Sequence, residues 1–318
     1  MITDTEKSIL RTLIFFDLFD HPLTAFEIWK YVQRVDGCHD YSFSTIFREI
    51  HESPLIAEKS EECNGFYTLA GRGEVVGVRR ERTVYADKKY ALAQKSTRVF
   101  AWFPFVRMVC VCNTVGLGAA KKGSDIDLFI VARARHLWLV RLLCTGYAHL
   151  RDLRPREDAV RDTLCLSFYA SDDALDFSIL AQPPLGEIPD IYFLYWMNWC
   201  VPIYDDGVYE VFFESNVWVQ HILPNRIPYL PTPYRRVVLS RYGRVVKKVL
   251  EYIAVCFGPL IESGARSLQH ALMPRAITDK QGKGTGVLIS DSFLKFHVSD
   301  RRREIQGKFI RRCKAMNV

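Results

Sequence analysis

Apolar positions recur at helical spacing near the start of the chain. Ile9, Leu13 and Phe16, flanked by Leu10 and Ile14, predict a first helix. Thr24-Ala-Phe-Glu27 has the spacing of a capping box and predicts a second helix reaching Tyr31. Phe43, Ile46, Phe47 and Ile50 stripe a third, started by Ser42. Strand-like runs follow at 55–58 and 66–69, and the polar tip between them ends in Asn64-Gly65, a hairpin signal. Residues 71–100 read as a basic connector helix. Apolar runs at 105–112, 125–132 and 164–169 read as strands. Between the last two, Leu137, Val140, Leu143 and Cys144 share one face of a helix over 136–150. Further on, 187–222 is aromatic-rich and helical in pattern. Pro224, Pro228, Pro231 and Pro233 mark an exposed connector. Residues 234–272 read as helical with a break at Gly258-Pro259, 279–286 as a loop, and 290–318 as one terminal helix. The densest apolar stretches, 191–204 and 249–261, are too short to span a membrane and fit buried helices.

These elements imply an α+β chain in four parts. Residues 1–70 resemble a winged helix-turn-helix, 71–100 form the connector, 101–185 form an α/β domain with a small mixed sheet, and 186–318 form a helical C-terminal region. Hydrophobic residues make up 49% and charged residues 25%, enough for a sizeable core. The first residues mix Asp4, Glu6, Lys7 and Arg11, unlike a secretory leader. Nine cysteines are present without a CxxC pair, which argues against a disulfide framework or a zinc site. The expectation is reduced thiols, a cytoplasmic protein and no membrane partner.

Charge changes the picture. Residues 1–70 carry a net −6 and residues 233–318 a net +12, within a total of +7. DNA affinity comes largely from Lys and Arg on phosphates. The acidic N-terminal unit therefore argues against DNA binding there, although Ser44, Thr45 and Arg48 lie on the outer face of its third helix. Docking or dimerisation suits it better. The basic tail suits a solvated face, an intramolecular acidic partner, or a nucleic-acid acceptor.

The chemistry concentrates at 111–131, where an apolar run stops at Asn113, a small-residue loop follows, and Asp125 and Asp127 open a second run. Carboxylates at i and i+2 on a strand share a face and repel unless a cation neutralises them. A divalent cation with oxygen ligands, Mg2+ or Mn2+, is the natural neutraliser. Gly116 and Gly118 let backbone approach a phosphate chain.

The run Gly-Ser-Asp-Ile-Asp-Leu-Phe-Ile-Val at 123–131, with the strand and loop before it, resembles the signature of the DNA polymerase β-type nucleotidyltransferase superfamily. The whole chain is also similar to bacterial proteins of unassigned substrate that join a winged helix to such a domain and a helical tail. The resemblance implies that Asp125 and Asp127 hold Mg2+ and align the α-phosphate of an NTP, ATP being the first candidate. Gly116 and Gly118 would cradle the distal phosphates, Thr114 would supply a loop hydroxyl, and Ser124 would support the loop. A third carboxylate on a later strand would activate the acceptor.

Two positions depart from that pattern. Asn113-Thr114 stands where the family has Gly-Ser, and the strand at 164–169 has no acid. Ser167 occupies the expected region, and Asp176 is the first substitute, ahead of Asp162, Asp172 and Asp173. The run Gly-Lys-Gly-Thr-Gly at 282–286 lacks the spacing of a P-loop. Two functions follow: a Mg2+-dependent nucleotidyltransferase moving NMP to an unidentified hydroxyl acceptor, or a catalytically degenerate nucleotide-binding sensor or scaffold.

Overall fold

The structure is a computed structural model that describes residues 2–35, 41–155, 160–256 and 258–318. It is a mixed α+β fold around one mixed sheet.

The N-terminal elements are α1 (Asp4–Asp17), α2 (Ala25–Tyr31), α3 (Phe43–Glu52), α4 (Pro54–Lys59), β1 (Ser60–Cys63) and β2 (Phe66–Leu69). Local chemistry explains their starts. Thr3 with Glu6, and Thr24 with Glu27, form complete capping boxes, and Ser42 caps α3. Asn64 and Gly65 both take left-handed backbone at the hairpin tip, with φ of 54° and 80°. One expectation fails. The run at 55–58 is helical, because Ser53 Oγ accepts from Ile56 N at 3.2 Å and Pro54 is preset for the first turn.

The connector is the single helix α5 (Val75–Phe100). Then come β3 (Val106–Val111), β4 (Ile126–Ala132), α7 (Leu137–Leu150) and β5 (Leu164–Ser171), near the bounds the pattern predicts, with a short helix α6 (Asn113–Leu117) where a loop was expected. The remainder is α8 (Ile191–Asn198), β6 (Val201–Asp205), α9 (Tyr209–Glu214), α10 (Arg241–Cys256), α11 (Gly258–Ala271), α12 (Arg275–Thr278), β7 (Val287–Ile289), β8 (Phe293–Phe296) and α13 (Arg302–Ala315).

The C-terminal region is therefore not purely helical. The sheet order is β6-β3-β4-β5-β8-β7, so three of its strands supply half of the sheet. Only β4 and β5 pair in parallel. Unpaired edges of β3 and β5 would leave backbone donors and acceptors without partners, and the late strands cover them.

Strand alternation splits the core into two layers. Phe129, Val131 and Phe168 face a layer containing α1, α8 and α13. Leu128, Ile130 and Ala132 face a layer containing α5 and α7. Asp127 has the parity of Phe129, so both aspartates open toward the first layer.

Stretch 249–261 departs as well. Its residues in α10 and α11 are helical, yet Val249 is 51% exposed and Leu260 78%.

Candidate functional site

Asp125 and Asp127 stand at the N-terminal end of β4, both half-buried. Parallel pairing sets Cys165 of β5 opposite Asp127. One oxygen of each aspartate and Cys165 Sγ lie within 4.8 Å of one another. On the strand where a third carboxylate was expected, the thiol of Cys165, rather than Ser167, thus stands opposite Asp127. Cys165 Sγ is 3.2 Å from Ser167 Oγ, and Ser167 Oγ is 3.3 Å from His297 Nε2, just beyond β8. A continuous line of polar atoms runs from carboxylates to imidazole.

The electrostatics of the pair are those of crowded, half-buried acids. Burial, then the charge of Asp125, pushes Asp127 up to about 6, while hydrogen bonds from Asn113 and Cys165 pull it back. Burial also raises Asp125. Burial raises the Cys165 thiol strongly, and the two carboxylates add to it. His297 is pushed down to about 4 by burial and by Lys295, so its ring is neutral at pH 7. The donor set suits a hard divalent cation held by two carboxylates, with phosphate oxygens and water completing the shell. A protonated thiol is a poor ligand for Mg2+, so Cys165 lines the site without joining that shell.

Asn113 is the residue that sequence reasoning undervalued. Its φ of 49° is left-handed, a conformation that Asn tolerates better than most non-glycine residues. It takes over the conformational task of a glycine and adds an amide that meets Asp127, with its Oδ1 3.4 Å from Tyr192 OH.

Two cavities meet at Asn113. One, of about 260 Å3, is lined by Tyr192, Trp196, Lys295, His297 and Arg301. The other, of about 290 Å3, is lined by Thr114, Arg82, Lys121, Arg301 and Lys308. The first offers aromatic faces and the second cations. A larger cavity of about 570 Å3, walled by Pro202, Tyr209 and Tyr229, does not reach Asn113.

The other expected residues divide. Thr114 is exposed on α6 and lines the cationic cavity. Gly118 ends α6 in left-handed backbone, with φ of 79°. A side chain on Gly116 would put Cβ 1.9 Å from Trp199 O, so close packing alone accounts for that glycine. Ser124 Oγ bonds to Lys121 O in a turn, while Ser124 O accepts from the buried Lys89 Nζ at 2.6 Å.

Asp176 is not brought to the pair. It lies past the C-terminal end of β5, and its Oδ1 accepts from Ser178 N at 2.9 Å. Asp172 and Asp173 hold backbone and hydroxyl groups at that same far end, and Asp162 pairs with Lys89 at 2.6 Å.

Comparison with known proteins assigns no family: no family profile matches the chain, and no curated protein or solved structure matches it.

Proposed function

We propose that the chain is a Mg2+-dependent nucleotidyltransferase that moves NMP from an NTP, ATP first, to a hydroxyl acceptor. In this reading residues 101–185 with the late strands form a polymerase β-like domain, and residues 1–70 a winged helix used for docking. The observation that carries it is the Asp125–Asp127 pair, joined through the Asn113 amide to a cavity walled by Asn113, Arg82, Lys121, Arg301 and Lys308. Cations around a cavity of this size suit a triphosphate.

Mg2+ held by Asp125 and Asp127 would neutralise the pair and polarise the α-phosphate. Arg301 and Lys121 then hold the distal phosphates, and Tyr192 and Trp196 offer flat faces to the base. The acceptor hydroxyl gives its proton to the Ser167–His297 pair. Its oxygen bonds to the α-phosphorus, the bond to the bridging oxygen breaks, and pyrophosphate leaves. A neutral imidazole depressed to about 4 is as basic as an ordinary carboxylate. His297 can therefore replace the absent third acid in proton transfer.

The second reading, a nucleotide sensor, draws on Cys165, which stands opposite Asp127 on the strand where the third acid was expected and cannot serve as that base at neutral pH.

Calorimetry with Mg-ATP, alongside pyrophosphate release, separates the two. Binding by the native chain and its loss in Asp125→Ala/Asp127→Ala is expected of both. Pyrophosphate release that falls about 10²–10⁴-fold in His297→Gln, with binding retained, supports catalysis. Binding without release supports the sensor, and equal binding by the double variant removes both.

A further inference from the structure

The consecutive helices α10 and α11 turn their polar side inward. Lys247, Glu251 and Gln269 are buried. Lys247 Nζ donates to Tyr204 OH at 2.8 Å. Glu251 accepts from Phe105 N at 2.8 Å and from both terminal nitrogens of Arg107 at 3.1 Å. On α11, Glu262 accepts from the backbone N–H groups of Trp138 and Leu139, and Gln269 Nε2 donates to Trp138 O at 2.8 Å. These bonds pin the two helices to the body through charged and amide groups.

Its outward side is aliphatic. Val245, Val249 and Ile253 recur at i, i+4 and i+8 on α10, each at least half exposed. Leu260, Leu268 and Leu272 continue the apolar surface on and just after α11. A surface helix of a soluble protein normally shows the opposite arrangement. An apolar face this extended is a place of contact.

Charge selects the occupant. Arg241, Arg244 and Lys248 are exposed and recur along one edge of the α10 stripe. The only acids within 241–271 are Glu251 and Glu262, and both are bonded inward. A two-fold pairing of this face with a second copy would set cations against cations with no acid to meet them. An apolar stripe edged by Arg and Lys matches a bilayer surface instead, where aliphatics enter the acyl boundary and cations meet anionic headgroups. No described helix is long and apolar enough to cross a membrane, so the face would lie on the bilayer.

We propose that the outer face of helices α10 and α11 is a membrane-surface site selective for anionic lipid. It is independent of the nucleotide site, which opens on the other layer of the sheet.

The test is flotation of the full chain with phosphatidylcholine vesicles, with and without phosphatidylglycerol. Binding is expected only with the anionic lipid, and weakening as salt rises. Arg244→Gln and Lys248→Gln should each lower affinity about fivefold. Val249→Glu/Leu260→Glu should abolish binding while the thermal melt is retained, since both side chains are exposed. Absence of binding to the anionic vesicles overturns the proposal. So does a dimer in analytical ultracentrifugation that Val249→Glu/Leu260→Glu dissociates. Arg244→Gln and Lys248→Gln, which leave the apolar stripe intact, keep the test valid if the glutamate pair fails to fold.

Discussion

At the residue scale the decisive group is Asp127, whose carboxyl is held near 6 against an ordinary 3.8. A raised acid favours the folded state while it is protonated, and that advantage is lost as pH rises from 3.8 through 6. Above that range the fold carries a charge that burial and Asp125 both disfavour. A divalent cation removes the penalty only where the carboxylate is ionised. Mg2+ should therefore raise the melting temperature more above pH 6 than below it, and Asp127→Asn should erase the difference. Equal Mg2+ effects on both sides of pH 6 in thermal melts would sink the assignment. The two aspartates were legible because their spacing alone fixes a shared face. Cys165 and Ser167 were not, since which of them meets Asp127 depends on a register shift between Asp127 and Phe129. His297 was hidden further, just past a four-residue strand inside a stretch whose composition reads as helix.

At the scale of elements, the two glycines of α6 have different structural reasons. Gly116 sits where an added Cβ meets Trp199 O, and Gly118 supplies left-handed backbone with open space around it. Gly116→Ala should destabilise by about 1–3 kcal/mol through overpacking. Gly118→Ala should cost about 1–2 kcal/mol through backbone strain. Denaturant titration measures both. If Gly116→Ala instead left stability intact and removed ATP binding, the glycine would be a phosphate cradle after all. The same scale shows what pattern reading can reach. The capping box at Thr24, the Ser42 cap and the Asn64-Gly65 turn are local, so they were readable from a few residues. β6 and β8 are short and pair with the distant strands β3 and β5, and β7 is a strand by pairing with β8.

At the scale of the whole molecule, the acidic front and basic back of the chain meet. Arg312 of α13 and Arg72 both pair with the carboxylate of Asp17, which is buried. The meeting is apolar as well as ionic. Phe309 is fully buried, with its ring 5.9 Å from that of Phe15, while Phe15 and Phe16 pack on Tyr195 at 4.3 Å and 5.1 Å. Tyr195 OH donates to Tyr31 O at 2.7 Å, and Asn225 Nδ2 reaches Trp29 O and Tyr41 O at 2.8 Å. Residues 1–70 thus close their core with residues more than 150 positions away. Sequence pattern marked these residues as a separate unit because helices and a hairpin are local, whereas the surface they bury belongs to α8 and α13. Phe309→Ala should then cost about 3–5 kcal/mol and destabilise both ends of the chain together. Scanning calorimetry should record one transition in the native protein and one, at lower temperature, in the variant. Two resolved transitions, with only the smaller one shifted by Phe309→Ala, would mean that the N-terminal unit folds on its own. α13 would then serve as a tether between two independent units.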